Sequence, residues 1–438
     1  KQEIKVDTTI FMREFKELQE LLVRPQKEKY SKKNNPAVEL MRRVREYQNN
    51  GDPRLQDHYS YDQYDKITLG LLDIPESELE KHPFLREHVD SSRHGAQTVL
   101  NVLMKEKAST ALYSDGSKSP KTVVRGRTSV GIDESFDDGN IGVMLEEFLR
   151  EVDIYDDDVT IMANRFVSPL SALGADYYKY YITDTLDIDG VRCVQLTFSP
   201  RNPESFSFMG NLYVELGDTT GFIKKVTMKV PRTINLNYVD NLFIDQVYEK
   251  DDKGKRHKVL DEMNLDICIV PGTQRFYGRR VSRYVNFSDK KRMDLTKAYD
   301  MLGNIVEIDE RNNLSGDFWT TRRLEPLTDA EANIGTFMGK LRNIPFFYWG
   351  ERVLAIIVNG YVKTGQPSKF DIGPINTLIS YSSLEGVRFR LGGMTTANLS
   401  PNLFGRGFVA YGTRDRKWKY KAELEYSFVK KKYHSMEF

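Results

Sequence analysis

Only two cysteines occur among the 438 residues, Cys193 and Cys268, far apart in sequence and each inside a strand-like stretch. Two unclustered cysteines read as small buried hydrophobes, or as one pair closed in an oxidising compartment. No Cys/His spacing resembles a zinc site, so no metal is expected. Net charge is nearly absent as well. The 64 Lys and Arg against 63 Asp and Glu leave +1, so no global field points to nucleic acid or another acidic polymer. Long apolar runs are missing, and the best of them, Val353 to Val358, is far too short for a transmembrane helix. Residence in a membrane would have to be through strands. The chain opens on Lys1-Gln2-Glu3-Ile4-Lys5 with no secretory leader, as a mature N-terminus also would.

Catalytic signatures are lacking too. There is no GxSxG, HExxH, GxxxxGK or GxGxxG. The six histidines are scattered. His88 and His94 near Asp90 are the one semi-cluster, and they read as surface histidines. Asp184 to Gly190 superficially matches a calcium loop, but Thr185 would stand at its first ligand position and Leu196 at its closing glutamate. A hairpin turn is the better reading. The runs Asp137-Asp138 and Asp156-Asp157-Asp158 read as solvated loops. An enzyme would need a carboxylate pair that only the fold makes, such as Asp156 or Asp158 with Glu106. The expectation is no enzyme, no catalytic residue and no cofactor.

What is present is an ordinary folding composition, 39% hydrophobic and 29% charged, in a length that suits two or three domains. The dominant signal is a rhythm of two. From Lys417 to Phe428 the even positions Trp418, Tyr420, Ala422, Leu424, Tyr426 and Phe428 are apolar, and the odd positions are polar. A strand that long spans about 40 Å, and aromatics near both ends suit a membrane interface. A long strand of a soluble sheet would look the same.

Helical spacing marks the N-terminal part. Phe11, Phe15, Leu18 and Leu22 repeat before Pro25, and Pro36 opens a second helix striped by Leu40, Met41, Val44 and Tyr47. Strands are expected over 59–72 and 99–113, with a polar helical excursion over 76–88 and a short helix over 142–152. Between 177 and 287 lies a meander whose turns are Asp189-Gly190, Asp218 to Gly221 and Asp251 to Gly254. Its even positions carry the apolar side chains, including Phe206, Phe208, Leu212, Val214, Leu216, Val226 and Met228. That pattern predicts an antiparallel sheet curling around something apolar, with Phe208, Leu212, Val214, Val226, Met228, Leu265 and Ile267 as candidate lining residues. The N-terminal helices could equally fill that face as core. Thr328 and Glu331 predict a capping box, and Pro345 to Trp349 is an aromatic cluster. Beyond 372, short apolar runs alternate with glycine-rich turns, and 404–413 alternates poorly.

Several segments together resemble a known family. They are Asn35 to Met41, Phe166 to Pro169, the Tyr177–Tyr181 strand, Phe208-Met209-Gly210 and Asn235 to Val239. Further on come Gly373-Pro374, Leu384 to Arg388, Tyr411 to Asp415 and Lys417 to Tyr420. The chain is similar, over nearly its whole length, to a Bacteroidota outer-membrane family of unassigned function. Members carry an N-terminal carboxypeptidase-regulatory-like β-sandwich, a periplasmic region and a C-terminal outer-membrane β-barrel. Set against that pattern the sequence given lacks the β-sandwich, and residues 370–438 have room for only about four or five strands of a barrel that needs about eight. The meander pattern also resembles the half-barrel of periplasmic lipoprotein carriers.

The expected fold is therefore α+β. N-terminal helices (1–50) pack on a curved antiparallel half-barrel (51–310), followed by a helical connector (311–365) and the first strands of an outer-membrane barrel (366–438). The resemblance implies an outer-membrane protein of a Gram-negative bacterium, mostly periplasmic, with Trp418, Tyr420, Leu424, Tyr426 and Phe428 facing the membrane. The expected function is binding or hand-over of an apolar or acylated ligand, a lipid or lipoprotein. The alternative is a structural or transport accessory whose periplasmic module docks envelope proteins while the barrel anchors or conducts.

Overall fold

The computed structural model describes residues 30–438 apart from 96, 115–116, 118, 133–144, 163, 235, 237, 269–273, 302, 308–315, 346, 351–359, 366, 383, 429–434 and 438. The helix expected around Phe11 to Leu22 and the apolar run Val353 to Val358 lie outside the described residues. The first described helix, α1 (Pro36–Asn50), starts where the sequence places it. Pro36 occupies its first turn, and the Asn35 side chain accepts from the Ala37 N–H at 2.9 Å. Its stripe of Ala37, Met41, Val44 and Tyr47 is buried.

Twelve strands form one sheet, in which β2 (Val89–Ser91) pairs with β3 off the main path. Along the chain the others are β1 (His58–Leu72), β3 (Thr98–Ser114), β4 (Lys121–Gly131), β7 (Tyr178–Ile188), β8 (Val191–Pro200), β9 (Met209–Glu215), β10 (Ile223–Lys229), β11 (Val239–Lys250), β12 (Arg256–Ile267), β13 (Arg275–Ser288) and β14 (Ile305–Glu307). A separate two-stranded ribbon holds β5 (Asp158–Ile161) and β6 (Asn164–Val167). The order is β14-β4-β3-β1-β13-β12-β11-β10-β9-β8-β7, antiparallel throughout except for β14 beside β4. All three turns named above are hairpins. Asp189 and Gly190 take φ of 51° and 81°, the left-handed pair a two-residue turn requires. The link that organises the sheet is not a hairpin at all. β1 lies between β3 and β13, so residues more than 200 apart, such as Asp65 and Ser282, become neighbours.

One sheet face is covered by α1 and the segment 145–170. Tyr47 sets its ring edge-on to Phe222 at 6.5 Å, and Gln48 donates to the Tyr155 carbonyl. The opposite face of β1 and β3 is covered by the connector. Here α3 (Gly316–Arg322) lays Trp319 on Tyr64, 6.4 Å between rings. The Thr328/Glu331 capping box opens α4 (Asp329–Ala332), and Glu331 also pairs with Lys66 at 2.7 Å, both side chains almost wholly buried. After it, α5 (Ile334–Leu341) turns Ile334, Phe337, Met338 and Leu341 into the core. The excursion at 76–88 divides into α2 (Glu76–Lys81) and a 3-10 turn, Pro83–His88.

A second sheet of seven strands follows: β15 (Val362–Lys363), β16 (Phe370–Ile372), β17 (Ile379–Ser382), β18 (Gly386–Thr395), β19 (Leu403–Gly412), β20 (Trp418–Ser427) and β21 (Ser435–Glu437). Its path runs from β15 to β21, and among the described residues no pairing closes it into a barrel. The poorly alternating 404–413 is a full strand nonetheless. Gly407 sits where a Cβ would come 2.8 Å from the Lys421 carbonyl, so glycine there lets strands approach closely. Cys193 and Cys268 are not joined in a disulfide.

Candidate functional site

The face of the large sheet beneath α1 can be read row by row from its register. One cross-strand row runs Ile182, Leu196, Leu212, Val226, Gln246, Asp261, Ser282, Asp65, Lys107 and Arg127, from β7 to β4. The first four are apolar and the last six polar, and the change falls between β10 and β11. Two rows along, past Met263, Arg280, Ile67 and Lys105, the face is apolar through Leu242, Leu265, Gly278, Leu69 and Leu103. Hence the face has an apolar half on β7–β10 and a polar belt crossing β11, β12, β13, β1 and β3.

All seven candidate lining residues belong to this face. Phe208, Leu212, Val226 and Leu265 are 0% exposed, and Val214, Met228 and Ile267 at most 3%. They join one core with Met41 and Val44 of α1 and with Phe166, which stacks on Phe208 at 5.0 Å between ring centroids. The sequence-predicted residues are thus brought together, and the chain's own helix and ribbon cover them. Phe206 and Leu216, read as part of the same apolar set, are instead 40% and 50% exposed because they lie at strand ends.

The polar belt was not legible from the sequence, since its members come from five strands and look like isolated charges. Arg280 donates from Nη2 to Asp261 Oδ2 at 2.6 Å and from Nη1 to Ser282 Oγ at 3.3 Å. Ser282 donates to Asp65 Oδ1 at 2.6 Å, and Lys107 pairs with Asp65 Oδ2 at 2.9 Å. Lys258 pairs with Glu151 at 2.6 Å, and Gln246 donates to Asp261 Oδ1 at 3.0 Å and to the Val152 carbonyl at 2.8 Å. Burial pushes the Asp65 carboxyl up, but Lys107, Ser282 and Arg280 outweigh it and hold the group below the usual carboxylate range. Glu151 is lowered likewise, burial being outweighed by Lys258 and Arg280. Burial drives the Tyr284 phenol far up. Such a belt is a charge-matched network of three acids and three bases, each carboxylate facing a cation.

Other candidates separate. Glu106 accepts from Tyr64 and from Arg323, whereas Asp158 pairs with Arg165, so the fold gives these carboxylates different partners. His94 bonds Asp245 at 3.0 Å, His88 meets Phe337 edge-on, and Asp90 accepts from Asn101 and Thr328. Asp187 accepts from the Gly190 N–H, as a turn and not as a calcium loop. Among the described residues no three His, Cys, Asp or Glu converge to hold a metal. Nor is any described helix long and apolar enough to cross a membrane.

In the smaller sheet every second side chain projects on one face, where Trp418, Tyr411, Phe389 and Ile379 form one cross-strand row and Tyr420, Val409 and Leu391 the next. Trp418 is 68% and Tyr420 83% exposed, and Leu424, Tyr426 and Phe428 are exposed too. The other face carries Arg390 over Phe408 at 3.8 Å, the pair Arg406–Glu423, and Lys419 with Asp415 at 2.9 Å.

No curated protein matches the chain. Solved structures similar to it include a DUF1329 family protein from Desulfovibrio piger, 15% identical, covering 61% of this chain and 98% of that one at a TM-score of 0.25. A putative outer membrane lipoprotein-sorting protein domain from Vibrio parahaemolyticus is 8% identical, covering 60% and 98%, TM-score 0.23. A LolA superfamily protein from Nitrosomonas europaea is 9% identical, covering 59% and 95%, TM-score 0.24. Scores of that size carry no argument about this chain. The sequence itself does: the model of DUF5686, a family of unknown function, matches residues 40–286, more than half of the 438, and the chain belongs to that family.

Proposed function

We propose that this chain is a non-enzymatic outer-membrane protein of a Gram-negative envelope. Its large sheet serves as a periplasmic half-barrel that binds or hands over an apolar or acylated ligand, a lipid or lipoprotein, and the smaller sheet sits in the membrane. The observation that carries this reading is the single row running from Ile182 to Arg127, apolar over four strands and polar over six. An amphiphile needs those two surfaces side by side. The apolar half is covered by α1, so the ligand exchanges with the helix. Magnitudes permit the exchange. Four buried α1 side chains contribute at most about 6–12 kcal/mol, while an acyl chain of about sixteen carbons gains roughly 0.8 kcal/mol per methylene, about 13 kcal/mol. The polar ties of α1 gather at its C-terminal end, where Tyr47 donates to the Gly254 carbonyl, Gln48 donates to the Tyr155 carbonyl, and Arg256 and Lys255 donate to the Gln48, Asn50 and Gly51 carbonyls, while Lys32 pairs with Asp176 before its start. On the second sheet, Trp418, Tyr420, Leu424, Tyr426 and Phe428 would face lipid, which supports seating in the outer membrane.

The test is titration of the delipidated protein with a fluorescent triacylated peptide, beside mass spectrometry of species extracted from the native protein. Saturable binding is expected. Asn35→Ala removes the α1 cap, weakening the helix by about 1 kcal/mol and so raising apparent affinity by up to about fivefold. Neither extracted acyl species nor saturable binding would remove the carrier reading. Tighter binding by a chain whose helix cap is intact than by Asn35→Ala would remove α1 as the competitor.

A further inference from the structure

We propose that the polar belt is a subsite for the uncharged carbonyl-bearing linkage, ester or amide, that joins acyl chains to the rest of such a ligand. This rests on the acyl-binding reading above and adds the chemistry of its recognition. Four buried polar atoms in the belt have no hydrogen bond among the described residues: Asp65 Oδ2, which has the Lys107 ammonium at 2.9 Å, and three that can donate, Nε of Arg280, Oη of Tyr284 and Oγ of Ser109. Arg280, Ser109 and Tyr284 are each at most 4% exposed. They are not scattered. Ser109 and Tyr284 both stand opposite Gln63, on the strands either side of β1, and Arg280 stands opposite Ile67 one row beyond Ser282. Leaving a buried donor unmet costs about 1–3 kcal/mol, so three together point to a missing acceptor.

The chemistry of that acceptor follows from the groups around it. Arg280 Nε can only donate, and both hydroxyls can donate. The belt's ionic groups are already matched, Lys107 with Asp65, Arg280 with Asp261 and Lys258 with Glu151. A charged ligand would leave one of them unpaired in a buried setting, which is strongly unfavourable. A neutral carbonyl can accept from two such donors and disturbs no pair. Access exists at one end, where the side chains of Lys107 and Glu151 are each 38% exposed. Displacing Lys107 and Glu151 outward opens the way to Ser109 and Tyr284, and the apolar rows beside the belt then receive the chains.

The experiment uses the full chain, delipidated, and three competitors of one chain length: an N-palmitoyl peptide (amide), dipalmitoylglycerol (ester) and a pyrene-labelled hexadecane (no carbonyl). The wild type should prefer a carbonyl probe over the hydrocarbon by about tenfold, the worth of one or two net hydrogen bonds. Tighter binding of the N-palmitoyl peptide than of dipalmitoylglycerol marks a lipoprotein source, and the reverse order marks a lipid source. Tyr284→Phe with Ser109→Ala should reduce the preference to within about twofold while hydrocarbon affinity stays the same. The ligand-free double variant should keep or raise its Tm, because each substitution deletes an unpaired hydroxyl. A wild type that binds acyl probes without preference, or a variant that retains the preference, overturns the subsite and leaves the carrier reading standing. A drop of several degrees in the variant's Tm would show both hydroxyls engaged within the protein and would also overturn it. Binding of none of the three probes would remove the carrier reading itself.

Discussion

The two sheets obey the same alternation and end in opposite states. In the large sheet Leu212, Val226 and Leu265 are wholly buried, because α1, the segment 145–170 and the connector fold back over both faces. In the small sheet Tyr420, Ile379 and Leu391 stand 83%, 66% and 65% exposed on one continuous face. An apolar patch of that extent on a soluble surface marks an interaction or membrane surface. Period two therefore decides where side chains point, and distant segments decide what covers them.

The most forceful way to break the comparison is to place one charge on each sheet. Val226→Asp puts an unpaired carboxylate into a site with no exposure, and should cost about 4 kcal/mol or more, read from chemical denaturation. Tyr420→Asp lies on the exposed face and should change that midpoint by less than about 0.5 kcal/mol, while abolishing co-flotation with liposomes. Equal destabilisation by both would mean that the small sheet's face is covered after all, and the contrast would collapse.

A smaller effect probes how the connector holds the large sheet. Lys66 and Glu331 form a pair in which both side chains are almost fully buried, and Glu331 also completes the capping box of α4. Lys66→Met leaves a buried carboxylate alone and should cost about 3–5 kcal/mol. Adding Glu331→Leu should recover most of it, apart from the roughly 1 kcal/mol of the lost cap. A double variant as unstable as the single one would show that the pair itself, and not the orphaned charge, holds the connector.

How far the sequence could be read follows the same division between local and distant. Hairpins at Asp189-Gly190 and Asp251 to Gly254, the Asn35 cap and the Thr328–Glu331 box are local devices, and all of them are where the residues say. The apolar candidates Phe208 to Met228 share a face because alternation carries that information. β4 was missed, since Lys121 to Gly131 is polar and interrupted by Gly126, and its place depends on pairing with β3. The polar belt was missed for a deeper reason. Asp65, Lys107, Glu151, Asp261 and Arg280 each look like a solvent-facing charge, and it takes the β3–β1, β1–β13 and β12–β13 pairings together with the covering segment 145–170 to make them neighbours.

Acid sharpens the contrast between the two halves of that one face, because only the polar half titrates. Asp65 and the partly exposed Glu151 of the belt, and Glu262 on the opposite face, are carboxyls held below their ordinary values: desolvation raises each, and Lys107, Lys258 and Arg279 respectively outweigh it. Arg54 does the same for Asp52. For a carboxyl whose folded value is depressed, the unfolded chain takes up protons first. Stability is then fully present above the unfolded value, about 4, and is lost as pH falls toward the folded one. Asp90 and Asp266 act in the opposite sense, because burial raises them, so protonation there favours the fold. These four lowered groups, joined by surface carboxyls lowered by their own ion pairs such as Asp176 and Asp218, outnumber the two raised ones and predict a net fall in Tm between about pH 5 and 3, the smallest of these effects because the two sets partly cancel. Asp65→Asn should flatten that fall, since one of the lowered groups is gone. A Tm that holds or rises on acidification, or an Asp65→Asn slope as steep as wild type, would mean the belt's ion pairs do not contribute to holding β1 against β13.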